Sequence, residues 1–220
     1  MELDTFTPGE TEYPVYSIAH KTGRFEVSDK DWFNNATIIP LGVFQQRLAW
    51  PKEDSGLKMV PVCRSPNNMI GFRTNYGEQK TDLPEVGKCW ECDYKEWNDG
   101  KQPCGKIYYI PFLFANELDG PIRVLKMNRS ASKPIKDMFS KMSKRPPYCH
   151  TVLATLSAVE RNGNRYSVPS FSKIKYTGED TFSNRILYTR KFMVVKSEFE
   201  KLALPRPPAS ATLSPMSMGA

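Results

Sequence analysis

Four cysteines constrain what this chain can fold into more than any other feature of its sequence. Cys89 and Cys92 form a CxxC pair, Cys104 follows it, and Cys63 precedes it. Thiolates at such spacings can converge on one tetrahedral zinc ion, and four protein ligands would close its coordination shell. A closed site holds structure and leaves no position for a substrate, so we expect a structural zinc. The alternative is that the thiols are reduced and unligated, or that only the CxxC pair matters.

The segment around these cysteines has little else to order it. Residues 51–105 are rich in Pro, Gly, Asn, Asp and Lys and have little hydrophobic periodicity. Long irregular segments are uncommon in compact domains unless something holds them in place. We therefore expect a zinc-stapled insertion at 51–105 within a single domain at 15–203. A flexible arm at 1–14 precedes this domain, and a disordered Pro-, Ser- and Ala-rich tail at 204–220 follows it.

Outside the insertion the sequence is typical of strands. Residues 37–50 are rich in β-branched and aromatic side chains, with a break expected at Pro40 or Gly42. Residues 106–114 and 121–127 predict a pair of strands joined by a turn. The Asn-Gly pair that ends at Gly163 predicts a further hairpin.

Two helices are predicted. The first contains an apolar stripe at the i, i+3, i+4 and i+7 positions of one helix face. The members of this stripe are Ile135, Met138, Phe139 and Met142. The second helix is predicted over residues 188–203. The order of elements indicates a mainly β fold with few helices, in the form of an OB-like Greek-key barrel with a zinc-stapled loop insertion.

Basic side chains are concentrated in one segment of the chain. Residues 121–149 contain eight Lys and Arg side chains against one acid, Asp137, and account for the whole net charge of +7. A basic stripe confined to one segment is the usual electrostatic footprint of a phosphate-binding surface. The alternative is a solvated basic helix, because cations near a helix C-terminus also suit the helix dipole.

Aromatic side chains are interleaved with these cations. Single-stranded nucleic acid is bound by such a mixture, since cations follow the backbone while the bases stack on rings. The alternative for each strand aromatic is packing in the core. The candidate nucleic-acid-binding residues are Arg123, Lys126, Arg129, Lys133, Lys136, Tyr108, Phe112, Trp50 and Tyr166.

Signatures of catalysis are scarce. The chain has two histidines, His20 and His150, and no GxSxG, HExxH or GxxxxGK motif. Cys149 and His150 are neighbours on a predicted strand and point to opposite faces, which disfavours a catalytic pair. We therefore expect a binding protein and not an enzyme.

The sequence also indicates a compartment. No stretch approaches the roughly 20 apolar residues that a membrane span needs. Five cysteines without a signal peptide fit a reducing cytoplasm better than a disulfide scaffold. We expect a cytoplasmic protein that has no membrane partner.

Several motifs occur in a distinctive order: PVCRSP, then CWEC, a Trp, PC, the β-rich KIYYIPFLF and the lysine-rich VLKMNRSASKPIKDMFSKM. A Tyr-x-His strand follows as Tyr148-Cys149-His150, and a Val-Pro ending occurs at Tyr166-Ser167-Val168-Pro169. Over residues 35–175 this order resembles a family of tailed-phage and mobile-element proteins. Members of that family are commonly regarded as single-stranded DNA-binding proteins with an OB-like core. The resemblance implies four cysteine metal ligands and a basic segment at 123–136 that faces nucleic acid.

These observations lead to one expected function and one main alternative, while a nuclease and a structural component of a virion stay open as further alternatives. We expect a sequence-nonspecific single-stranded DNA-binding protein that acts in phage DNA replication or recombination, in the host cytoplasm, and that can self-associate on DNA. The alternative is an adaptor whose zinc loop binds a polymerase or another replication or transcription protein. In that case Trp90 and Trp97 would carry the contact.

Overall fold

The structure is a computed structural model. It describes residues 12–50, 61–73, 86–95, 104–142, 145–161, 163–177 and 182–202. The predicted tail lies outside the described residues, as do residues 1–11 of the predicted arm and much of the predicted insertion. The described strands are β1 (Val15–Ala19), β2 (Arg24–Ser28), β3 (Asp31–Phe33), β4 (Asn35–Pro40), β5 (Phe44–Ala49), β6 (Cys63–Ser65), β7 (Ile70–Arg73), β8 (Val86–Lys88), β9 (Cys104–Phe114), β10 (Arg123–Asn128), β11 (His150–Arg161) and β12 (Asn164–Tyr176). The helices are α1 (Ser132–Lys141) and α2 (Phe182–Leu202).

The strands form one mixed sheet. Its main path runs β3-β2-β1-β10-β9-β5-β6-β7-β8, and β1 and β10 are parallel neighbours. β4 pairs with both β9 and β11, and β11 pairs with β12. Within the described residues no ladder joins β12 to β10, β1 or the edge strand β3, so the sheet is open. The mainly β expectation is confirmed, whereas the expected OB-like barrel and its zinc-stapled loop are not.

The break predicted at Pro40 or Gly42 separates β4 from β5. Both strands pair with β9, β4 near its end at Phe114 and β5 near its start at Cys104. A Cβ atom added at Gly42 would lie 2.6 Å from the ring of Phe192 in α2. The break therefore lets one bent segment follow β9 along its length while a helix approaches its backbone.

The main core lies between the sheet and α1. Its largest side chains include Tyr16, Phe25, Ile110, Phe112 and Leu125, all almost completely buried. The predicted stripe of α1 packs into this core: Ile135, Met138 and Met142 are buried, and Phe139 is partly buried. Apolar burial of this size is the main stabilising contribution to a domain.

A second core covers the opposite face of the same strands. Val195 and Phe199 of α2 pack against Phe44, Tyr109 and other side chains of β5, β9 and β10. The rings of Phe44 and Tyr109 stack 5.2 Å apart. β9 is therefore buried on both faces, one by α1 and the other by α2. The second helix begins earlier than the sequence predicts, at Phe182.

The hairpin predicted at Gly163 is confirmed. Gly163 has φ of +73°, which suits glycine at an Asn-Gly turn. The ladder of β11 and β12 has a register shift between Thr151 and Leu153. Opposite this shift lies Lys173, whose φ of +48° is uncommon for a residue with a side chain.

Candidate metal centre and nucleic-acid interface

The sheet brings Cys63 and Cys104 together although they are distant in sequence. β5 lies between β6 and β9, and its Ala49 is the register partner of both cysteines. The small side chain of Ala49 is almost fully buried. The two thiols therefore flank a compact position on the central strand.

The CxxC pair approaches the same place through the β7–β8 hairpin. The backbone N–H of Cys89 donates to the carbonyl of Met69 over 2.7 Å, which extends this hairpin. A Cβ atom added at Gly71 would lie 2.9 Å from the sulfur of Cys63 and 3.7 Å from that of Cys89. Both sulfurs thus lie over the same glycine, and a side chain there would occupy their space.

Few buried apolar side chains surround these thiols. The buried cluster here consists of Ala49, Val62 and Tyr94, with Cys63, Cys92 and Cys104 packed against it as partly buried members. All five cysteines of the chain are free thiols in the structure, and none forms a disulfide.

The thiols influence one another. Burial raises the pKa of Cys63 to about 12, and the nearby Cys104, Cys89 and Cys92 contribute to the increase. Burial likewise raises the pKa of Cys104, which the hydrogen-bonding guanidinium of Arg47 opposes. A cation placed beside Cys63 and Cys104 would favour their ionised form, as metal coordination does.

The donor set is of a kind that a structural zinc ion accepts. Thiolates are soft ligands, and four of them match a structural zinc site. Among the described residues, however, no group of three or more His, Cys, Asp or Glu side chains stands in a ready metal-binding arrangement. The cysteines are thus gathered in one place, but a bound metal would have to draw their sulfurs closer together.

The strand aromatics expected to stack on bases are buried instead. Tyr108 is 2% exposed and Phe112 is fully buried in the main core. The hydroxyl of Tyr108 forms a 2.7 Å hydrogen bond with Ser132 of α1. In this arrangement the two rings are not exposed for bases to stack on them. Both rings pack in the main core, which was the alternative for each strand aromatic.

Two of the basic side chains predicted to bind nucleic acid are instead buried or paired within the fold. Lys126 is 7% exposed and lies on β10 opposite Tyr109, on the face that α2 covers. The guanidinium of Arg123 forms a 3.0 Å ion pair with Glu117 and lies 4.5 Å from the centre of the Phe114 ring. Lys126 is not available to a phosphate in this arrangement, and Arg123 is largely engaged.

The remaining predicted residues differ in exposure. Lys133 and Lys136 are exposed on α1, and Lys133 pairs with Asp137 over 3.2 Å. Trp50 is half-buried against the second core, and Tyr166 is half-buried on β12. The side chain of Arg129 lies outside the described residues.

A different basic surface emerges where α1 meets β12. Lys141 and Lys173 line a shallow groove together with Phe171, Ser172 and Ile174. Two further exposed side chains, Arg145 and Tyr176, lie at or just beyond the ends of these two elements. We call this set the α1–β12 surface.

An exposed ring lies at the end of this surface. Tyr176 is 46% exposed, with the guanidinium of Arg145 5.6 Å from its ring centre and the ring of His150 packed edge-on at 5.8 Å. The bulge at Lys173 explains why Ser172 and Lys173 are both exposed, since a bulge interrupts the strand alternation. The sequence analysis missed this surface. The signal that could have indicated it is the Lys-Ile-Lys-Tyr run at the end of β12.

No family model matches this chain, and no curated protein or solved structure matches it either. Within the described residues, no helix has the length and apolar character needed to cross a bilayer.

Proposed function

We propose that this protein binds single-stranded DNA without sequence specificity and that the α1–β12 surface is the binding site. The observation that carries this proposal is the meeting of exposed cations from two distant segments along one groove. Lys141 comes from the basic segment of the sequence and Lys173 from the last strand. Cations aligned in this way can follow a phosphodiester backbone.

The charge of this surface is one-sided. Along α1, residues 145–150 and β12, the described residues include one carboxylate, Asp137, which already pairs with Lys133. Lys136, Lys141 and Lys173 are exposed on the same elements. A phosphate backbone is the partner that such a surface favours, and binding of this kind weakens as salt rises.

The exposed ring of Tyr176 adds a stacking position. Single-strand binders combine cations with rings on which bases stack, and Arg contributes cation–π contacts. Arg145 beside Tyr176 supplies both groups at one end of the groove. A duplex keeps its bases stacked inside and cannot use this position, so the surface favours single strands.

The connections between strands support an OB-like interpretation of the fold. The bent β4–β5 segment, β9 and β10 form a meander, α1 follows, and β11 returns to pair with β4 before β12. An OB-fold is a partly open Greek-key barrel of five strands that binds oligonucleotides. Here β1 takes the edge of β10, and β12 approaches the end of β1 where the Ser167 N–H donates to His20 Nδ1 over 3.2 Å.

Zinc belongs to the same proposal as a structural ion. Cys63, Cys89, Cys92 and Cys104 would hold it, and Arg47 would donate a hydrogen bond to the Cys104 sulfur. A bound zinc ion supplies no reaction here and joins β6, the β7–β8 hairpin and β9. As the family resemblance implies, the protein would act in phage DNA replication or recombination.

The test is fluorescence anisotropy with labelled oligo-dT and the matching duplex across a salt series. We expect tighter binding of the single strand and a steep fall in affinity with salt. The double variant Lys141→Gln/Lys173→Gln should weaken binding and reduce the magnitude of the salt slope by about 1.4, because each cation on a single-strand phosphate contributes roughly 0.7 to that slope.

The matched control is Lys21→Gln/Lys30→Gln, which removes two exposed lysines from turns of the N-terminal strands. It should leave the slope nearly unchanged. Equally weakened binding in both double variants would mean that total charge, and not the groove, determines binding. No binding of oligo-dT at low salt would exclude the function itself.

A second candidate function, a protein-binding adaptor, is favoured by exposed apolar groups around the cysteines. Trp90, Val86 and Met69 are each more than half exposed. Trp97, the other ring expected to carry this contact, lies outside the described residues. Loss of a bound replication or transcription protein in Trp90→Ala, with oligo-dT binding intact, would favour the adaptor. Loss of oligo-dT binding in that variant would count against it.

A further inference from the structure

The helix α2 carries apolar side chains on both of its faces. Its inner face buries Val195 and Phe199 completely. Its outer face exposes four apolar side chains by between 37% and 57%. They are Ile186, Leu187, Met193 and Val194. At 3.6 residues per turn they flank Arg190 on one stripe, which we call the outer stripe of α2.

The charges of this helix are distributed unevenly. Arg190 is exposed at the middle of the outer stripe, and Lys201 is exposed near its end. The two described carboxylates of α2 are only partly exposed and already have partners. Glu200 pairs with Lys196 over 3.7 Å, and Glu198 accepts the backbone N–H of Glu12 over 3.0 Å. The outer stripe therefore presents apolar groups and cations, which suits an acidic and apolar partner.

A second copy of the chain does not meet this requirement. An antiparallel pair of outer stripes would place Arg190 opposite the same arginine of the other copy, because the apolar residues lie evenly on both sides of it. Like charges that face each other destabilise such a contact. An acidic segment is the better match.

Such a segment lies directly before the first described residue. Residues 1–11 contain three acids and no Lys or Arg, with apolar side chains between the acids. The acids are Glu2, Asp4 and Glu10, and the apolar residues are Met1, Leu3 and Phe6. The chain enters the described structure at Glu12, beside Glu198 and therefore one helical turn from Val194. Tyr13 then packs against the second core.

We propose that residues 1–11 of this chain bind the outer stripe of α2, with Asp4 facing Arg190 and the three apolar side chains on apolar positions of the stripe. The length permits it: the eight residues from Glu12 back to Asp4 span up to about 26 Å when extended. Glu198 and Arg190 are only about 12 Å apart along the helix axis. This intramolecular contact does not depend on DNA binding or on zinc.

The experiment uses the full-length protein with the photo-crosslinking residue p-benzoylphenylalanine in place of Phe6. Irradiation should join this position to the outer stripe of the same chain, identified by mass spectrometry of the peptides. Arg190→Glu should reduce the yield by about five-fold or more, the change that roughly 1 kcal/mol makes in an equilibrium.

Lys30→Glu is the matched control, since it makes the same charge change at an exposed turn between β2 and β3. It should leave the yield unchanged, whereas an equal decrease would mean that the arm is attracted only by total charge. Cross-links spread over the surface, or absent from α2, would overturn the proposal. Cross-links to α2 found only between two chains would also overturn it, because the occupant would then be another copy.

Discussion

Two parts of this molecule are ordered in different ways. Around β9, side chains such as Ile110, Phe112 and Leu125 are completely buried, and helices cover both faces of the strand. Around β6, β7 and β8 the strands are three or four residues long, and the buried cluster is small. The first region has enough apolar surface to fold by burial. The second region lacks this apolar surface and contains four cysteines instead.

This contrast between the two regions supports the proposal that the cysteines hold a structural zinc ion. Short strands with little apolar burial are marginal in water, because ordering each residue costs about 1–2 kcal/mol of backbone entropy. A zinc ion bound by four thiolates can supply the missing free energy. If the cysteine region needs a metal and the region around β9 does not, a mutation in one region should leave the order of the other region unchanged.

The largest effect is expected from removing the CxxC pair. Cys89→Ser/Cys92→Ser should abolish metal binding, which contributes about 10 kcal/mol or more in small zinc domains. Hydrogen exchange should become fast in residues 61–73 and 86–95 while β11 and β12 stay protected. A chelator should have the same effect on the unmutated protein.

The control for this variant is Cys149→Ser, which changes the cysteine that packs with Ile39 and Leu41 away from the other four. It should retain the metal and the protection of residues 61–73. Equal exchange in both variants would mean that the CxxC pair has no special structural role.

The next largest effect is expected from a mutation in the region around β9. Phe112→Ala should destabilise the main core by about 3–5 kcal/mol, since it empties a fully buried position. The midpoint of urea unfolding should fall, while the bound metal is retained below that midpoint. Loss of metal under native conditions would show that the two regions are not separable.

A smaller effect on metal affinity is expected from filling the space between Gly71 and the cysteine sulfurs. Gly71→Ala would place a methyl group 2.9 Å from the Cys63 sulfur, and overpacking of this kind costs about 1–3 kcal/mol. Metal affinity should fall. The matched control is Gly105→Ala, next to Cys104, where a Cβ atom would meet nothing within 4 Å. Equal affinities of the two variants, measured by competition with a chelator, would contradict this placement of the sulfurs.

The smallest effect assigns DNA binding to one of the two regions. Tyr176→Ala should weaken oligo-dT binding by about 1 kcal/mol, the lower end for one stacked base, because Tyr176 is 46% exposed and the rest of its side chain is already covered by the protein. Trp90→Ala, in the cysteine region, is the control and should not change it. Anisotropy titrations compare them, and the opposite pattern would move the interface to the cysteine loop.

Local patterns predicted much of this fold. The strands β9 and β10, the hairpin at Gly163 and the stripe of α1 followed from alternation, turn chemistry and helical spacing. These local patterns did not predict which aromatic residues are buried. Tyr108 and Tyr109 point to opposite faces of β9, and alternation cannot reveal that α1 and α2 cover both faces.

Long-range pairing explains the other differences. The parallel register of β1 with β10 joins segments about a hundred residues apart, and no local signal specifies it. The same holds for the α1–β12 surface, because Lys141 and Lys173 meet only after the helix packs on the last strand. The cysteine spacing identified the candidate ligands, whereas the role of Ala49 between Cys63 and Cys104 required the sheet.

The most direct test of the central claim is the metal content of the purified full-length protein, combined with X-ray absorption at the zinc edge. One zinc ion per chain, with four sulfur neighbours at about 2.3 Å, is the predicted result. Protein that is folded in residues 61–73 and 86–95 but carries no stoichiometric metal would contradict it, since the four cysteines would then be ordered without an ion.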